Sequence, residues 1–321
     1  MRGALVIGCM AAATSSAGCG PGRLGGYADR EIYCCGGRDV FLVNVDEARR
    51  DPARRIWSWR AGDSPEIAVR HRAWFRAMDE CRPVLGGSAV LVSSSSAGGI
   101  ALVRRADKKC LFYAGGRNAH SAALIDDDSL GRPGKLVAGA FSFRSDHLRL
   151  YSLAAPTLPA RREWLMRLGG AHGAVWDRTR QVLWALGSDE LLKLEVIRGE
   201  RASAEVLKRW KLPGRGGHDL FALDEGRLAV TVGDGAYQFD LKAEEFSPLA
   251  GLAGKANVKS VCRHPTTGEI IYTQGEPVFT NKVRFLGGHD LVLPVSDLYK
   301  ARWNAPDALG GGAEPSRSAG S

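Results

Sequence analysis

Six residues at near-regular intervals carry the chemistry of this sequence: Cys81, His120, His172, His218, Lys259 and Lys300, at successive separations of 39, 52, 46, 41 and 41 residues. Three of the seven histidines therefore fall in one column of a repeat. A lone histidine lining a channel is usually satisfied by water or a backbone carbonyl. Five titratable or cationic groups facing one cavity are a different matter, because desolvating clustered like charge costs free energy and such clusters mark functional sites.

The chemistry of this column is basic. Lys259 and Lys300 are expected to depress each other's pKa and those of the imidazoles, leaving some histidines neutral. Three uses follow. One is capture of a carboxylate or sulfate. A second is binding of a divalent metal ion by His120, His172 and His218, three ligands with open positions. The third is abstraction of a proton α to a carboxylate, as in β-elimination from a uronate, which needs a base, an acid and a group that neutralises the carboxylate. His120, His172 and His218 are the candidate catalytic residues, with His172 in the middle of the arc. Lys259 and Lys300 are the candidate carboxylate ligands. Glu80 and Asp219 adjoin the column, and Asn118 and Asn257 each precede a column member by two residues, which on a strand is the same side. Cys81, Glu80, Asp219, Asn118 and Asn257 join the lysines as candidate substrate contacts. The insertion at residues 61–78, with Arg70, His71 and Trp74, is expected to build a rim. Gln274 and Glu276 read as turn residues, and His147, His264 and His289 as surface. No nucleophile elbow, phosphate-cradling loop or paired-carboxylate pattern occurs, which ranks a hydrolase below a lyase.

The elements that position this column repeat six times. An apolar run ending in Gly or small polar residues recurs at Glu31–Gly37, Ala89–Ser93, Lys135–Gly139, Gln181–Gly187, Arg227–Gly233 and Glu269–Gly275. An alternating strand and then a third strand follow each run, with period-two patterning and turn residues between. The column residues lie on a fourth, leading strand ahead of each triplet. For the first triplet that strand is absent at the N-terminal side and reappears as Leu298–Trp303. A terminal strand that completes the first blade closes a ring without an exposed sheet edge. The chain is therefore expected to be an all-β, six-bladed β-propeller over residues 31–303, with its leading strands around a central channel. Trp57, Trp59, Trp164, Trp184 and Trp210 are expected between blades.

Residues 1–19 run charged, apolar, small, in the order of a targeting segment. Cys19 after Ala17-Gly18 resembles a bacterial lipoprotein site, although Ser16 stands where Leu is usual; Cys9 leaves too short an apolar region before it. The expectation is export to the periplasm or cell surface, with membrane contact only through a lipid anchor at Cys19. Residues 20–30 read as a flexible tether and 304–321 as a disordered tail. Five cysteines remain beyond the leader, an odd number that is no disulfide framework. The net charge of +9 suits an acidic partner. Scattered arginines without interleaved aromatics argue against nucleic acid. The protein is expected to act as a monomer on an anionic glycan or small sugar acid.

The segments Asp79–Val84, Asn118–Ala122, His172–Asp177, Ala185–Leu191, Gly216–Leu220 and Val258–Val261 resemble an uncharacterised family of exported bacterial β-propeller proteins, over about residues 31–303. That resemblance implies the fold and no established activity. More distantly, the architecture is similar to propeller-fold polysaccharide lyases of the oligogalacturonate lyase type, whose sites are also axial and histidine-rich. None of their catalytic residues maps singly onto this chain. The function expected is an exported, carbohydrate-active lyase on a uronate-containing glycan. The alternative is a binding protein without chemistry for a sugar acid, anion or partner protein.

Overall fold

The computed structural model describes residues 26–310 apart from 96, 126–134, 144 and 155–156. The leader at 1–19, with Cys9 and Cys19, and the tail beyond 310 lie outside the described residues.

Six four-stranded antiparallel sheets form the blades of a propeller. In blade 1 the order is Leu298–Trp303, Glu31–Gly36, Asp39–Asn44 and Trp57–Trp59, so the last strand of the chain supplies the innermost strand of the first sheet. The other innermost strands are Met78–Val84, Ala119–Ile125, Gly173–Asp177, Asp219–Asp224 and Val258–Arg263. Successive inner strands touch one another around the axis. The closing strand fits because Gly36 has no side chain: a Cβ there would lie 2.0 Å from the Asp297 carbonyl oxygen.

Burial explains why the apolar runs become these strands. Both faces of a blade are covered by its neighbours, so the inner and second strands are apolar at nearly every position, while the outermost strands alternate. Six apolar clusters result, one between each pair of adjacent blades. Trp57 and Trp59 lie in the cluster between blades 1 and 2, Trp164 packs between blades 3 and 4, and Trp184 and Trp210 between blades 4 and 5. The five described cysteines are all buried and free.

Both ends of the described chain are better packed than their composition suggests. Within the expected tether, Gly26 accepts from Arg105 Nη1 at 2.8 Å and Arg30 pairs with Glu269 at 3.0 Å. Within the expected tail, Asn304 and Leu309 are buried, and the Leu309 carbonyl accepts from the Arg178 amide at 2.9 Å. His264, expected at the surface, is 2% exposed and caps the turn after Val258–Arg263 by accepting from the Thr266 and Thr267 amides.

Candidate functional site

The inner strands present their residues to the channel in layers, and the upper layer is set by irregularities in pairing. Ladders break between Met78 and Glu80, between Ala119 and Ser121, and between Val258 and Ser260, leaving Asp79, His120 and Lys259 as the unpaired bulge residues. Opposite the break between Cys35 and Gly36, Tyr299 is unpaired in the same way. His172 and His218 immediately precede their strands. Bulges re-aim side chains next to functional sites. The observed ring is thus Asp79, His120, His172, His218, Lys259 and Tyr299.

Two of the expected members are displaced. Cys81 is fully buried two residues further along its strand, with its Sγ 4.0 Å from the Lys300 carbonyl oxygen, inside the cluster between blades 1 and 2. Asp79 takes its place in the ring. Lys300 belongs to the layer beneath, and Tyr299 takes the upper position. Asn118 and Asn257 supply backbone geometry to the site. Both hold positive φ, +52° and +59°, where Gly170 and Gly216 stand in the neighbouring blades. Asn tolerates this left-handed conformation better than most residues. The Asn118 amide donates to the Phe143 carbonyl oxygen at 3.1 Å.

The three imidazoles touch. His120 and His172 stack with centroids 4.0 Å apart, and His172 meets His218 edge-on at 5.3 Å. Lys259 Nζ lies 3.3 Å from His218 Nε2, and His120 Nδ1 lies 3.4 Å from Asp79 Oδ2. His172 Nδ1 is 2.7 Å from the Gly170 carbonyl oxygen. A carbonyl only accepts, so Nδ1 carries the proton and Nε2 presents a lone pair. By the same logic the Lys259 ammonium donates to His218 Nε2. Stacked and edge-on rings do not converge their nitrogens on a point, and no group of three ligating side chains is placed to hold a metal among the described residues.

Burial sets the protonation of the ring. It holds His172 down to about 4 and His218 down to about 3, with Lys259 adding to both. His120 is likewise well below its ordinary value through burial and the His172 charge. Burial also lowers the Lys259 ammonium. It pushes the Asp79 carboxyl up to about 7, against the Ser95 hydroxyl and the two lysines. The Tyr299 phenol is raised well above its usual range, by burial and by Asp79 and Asp219. Asp79 Oδ2 and His120 Nδ1 face each other without a well-aligned hydrogen bond, and His218 Nδ1 is buried without a partner among the described residues. Native proteins rarely leave such groups orphaned without a reason.

Beneath the ring lies a buried network that sequence reasoning found only in part. Arg302 Nε and Nη2 donate to the two Glu80 oxygens at 2.9 Å each, and Nη1 and Nη2 to those of Asp219 at 2.9 and 2.6 Å. Lys300 Nζ donates to Asp219 at 2.9 Å and lies 3.5 Å from Glu80. Burial alone would depress the Lys300 ammonium, but Asp219 and Glu80 raise it above its ordinary value, opposite to the sequence expectation. Arg82 reaches Glu80 at 3.6 Å and Asp307 at 3.8 Å. Three cations thus balance three carboxylates, and Glu80, Asp219 and Lys300 are bound to one another beneath the ring. Arg302 and Arg82 sit one period-two step beyond Lys300 and Glu80; that spacing was the available signal.

A family model described as a family of unknown function, DUF6528, matches residues 38–310. No curated protein matches the sequence. Among solved structures, the chain is similar to one in the crystal structure of a nidogen/laminin complex, at 12% identity and TM-score 0.55, over 85% of this chain and 97% of the other. It is also similar to one in the crystal structure of a mitotic checkpoint complex, at 12% identity and TM-score 0.51, over 82% of this chain and 74% of the other. At that identity the likeness is one of fold.

Proposed function

Because the chain belongs to this family of unknown function, its role has to be argued from the channel, and we propose that it binds a uronate-containing, anionic glycan at the ring and cleaves it by β-elimination. One observation carries the reading: a single ammonium, Lys259, stands 3.3 Å from His218 in a ring that also holds two further neutral imidazoles and the Asp79 carboxyl. Lys259 neutralises the carboxylate, which acidifies the neighbouring C–H. His172 Nε2 takes that proton. The electron pair becomes the new carbon–carbon double bond, the C–O bond to the next sugar breaks, and the protonated Asp79 carboxyl gives its proton to the leaving oxygen. A carboxyl held near 7 is suited to donate at neutral pH. The leader-like order of residues 1–19 supports placing this activity outside the cytoplasm, anchored at Cys19.

The unsaturated product absorbs in the ultraviolet, so the test is direct. Purified protein is screened against uronate glycans by absorbance, and His172→Ala and Lys259→Met are compared with wild type on the glycan that responds. Loss of at least about a hundredfold in rate for His172→Ala is expected, with Lys259→Met weakening binding as well. An unchanged rate in both would remove these roles. A second reading, capture of the sugar acid without chemistry, is favoured by the low basicity of His172 and His218, near 4 and 3. It predicts heat of binding by calorimetry and no absorbing product.

A further inference from the structure

Between the insertion and the loops of blades 2 and 3 lies a cavity of about 850 Å³ lined by Trp74, Gly115, Gly116, Arg117 and Arg161 among others. We infer that this cavity is a second sugar subsite, which takes the next acidic residue of the same glycan chain. The inference rests on the ring reading above and makes the substrate an oligomer rather than a free sugar acid.

The cavity wall is built to hold a sugar. Trp74 ends the short helical turn Val69–Trp74 within the insertion between blades 1 and 2 and stacks on His71 at 4.0 Å. It is seated over Gly115, where an added Cβ would lie 2.7 Å from the indole. The insertion is pinned on either side: Trp59 Nε1 donates to Ser64 Oγ at 2.9 Å, and Phe75 is buried over Gly99. Held between His71 and Gly115, the half-buried indole offers the cavity a fixed apolar edge at little ordering cost. Arg117 and Arg161 are exposed and have no side-chain partner among the described residues. Their guanidinium forks match a carboxylate bidentately.

One residue of the cavity wall is tied to the ring through the chain. Arg117 lies in the short connection from Cys110–Gly115 to Ala119–Ile125, three residues before His120 and so no more than about 11 Å from it along the chain. Arg76 and Arg215 occupy the same place, three residues before Asp79 and His218, and are likewise exposed and unpaired among the described residues. Loops that deliver ring residues thus carry exposed arginines. That arrangement suits an anionic chain with more than one acid group.

Calorimetric titration of the full chain with galacturonate and with trigalacturonate tests this, with absorbance used to check that the trimer stays intact. For wild type the trimer should bind at least about tenfold tighter than the monomer, or about 1.4 kcal/mol. The surface double variant Arg117→Ala/Arg161→Ala, and separately Trp74→Ala, should bring the trimer close to monomer affinity and leave the monomer within about twofold. Equal binding of both sugars by wild type, or an unchanged ratio in the double variant, overturns the second subsite and leaves the ring intact. Failure of wild type to bind either sugar overturns the ring reading and this extension with it.

Discussion

At the scale of single residues, Asp79 has the most testable chemistry. Its carboxyl is pushed from 3.8 up to about 7, chiefly by burial. Between those values the folded state holds a proton that the unfolded chain has released, so stability falls as pH rises through the window. At roughly 1.4 kcal/mol per pH unit this amounts to at most about 4 kcal/mol. His172 and His218 act oppositely: their depressed values favour the neutral folded form, and stability is lost as pH falls below 6.5 toward about 4 and 3. Asp79→Asn isolates the first effect. Urea denaturation should show the variant more stable than wild type by a few kcal/mol at pH 8 and equal to it at pH 3. A constant difference across that range would mean the carboxyl is not held protonated. This residue was hidden in the sequence for a definite reason. His120, His172, His218 and Lys259 each follow, by two residues, an Asn or Gly with positive φ, which fixes the column by eye. Ala77 and Asp297 stand at that position before Asp79 and Tyr299, and at those two blades the column slips to Cys81 and Lys300.

At the scale of elements, strand order was legible and strand irregularity was not. Period-two patterning finds every blade, and the return of Leu298–Trp303 to Glu31–Gly36 follows from counting leading strands. A bulge adds one residue without altering composition, so nothing in the pattern announces those at Asp79, His120 and Lys259. The closing strand itself is secured by charge as well as by its ladder. Arg302 bridges Glu80 of the second blade and Asp219 of the fifth, and its guanidinium lies 4.4 Å from the Phe221 ring centroid. Removing one member of a buried pair strands the others, typically at about 3–5 kcal/mol. Arg302→Leu leaves Glu80 and Asp219 facing each other with only Lys300 and Arg82 near, and should lower stability by that amount in chemical denaturation. A loss below about 1 kcal/mol would mean the network is incidental to closure, and that backbone pairing with Glu31–Gly36 is sufficient.

At the scale of the whole molecule, the buried network divides the channel, so the ring opens toward the face that carries the insertion and the arginine-bearing loops. The chain from Asn304 to Leu309 returns beneath, with Asp307 against Arg82 and Leu309 between blades 4 and 5. Its Ala, Pro and Gly composition concealed that packing, because burial there comes from a few contacts rather than from a pattern. A net charge of +9 draws an anionic chain toward the molecule from any side, but the cavity and ring lie on one face. Salt separates these contributions. Charges in open solvent are screened over about 10 Å at 0.1 M and about 3 Å at 1 M, whereas desolvated pairs are screened far less. Trigalacturonate affinity should therefore fall by about tenfold or more between 0.05 and 0.5 M sodium chloride, and monomer affinity, which depends on buried Lys259, by much less. Replacing Arg76, Arg117 and Arg215 together with Ala should flatten the trimer's dependence toward that of the monomer. If the slope survives the triple replacement, the attraction comes from charge spread over the whole surface, and the loops that precede the ring residues do not guide the chain.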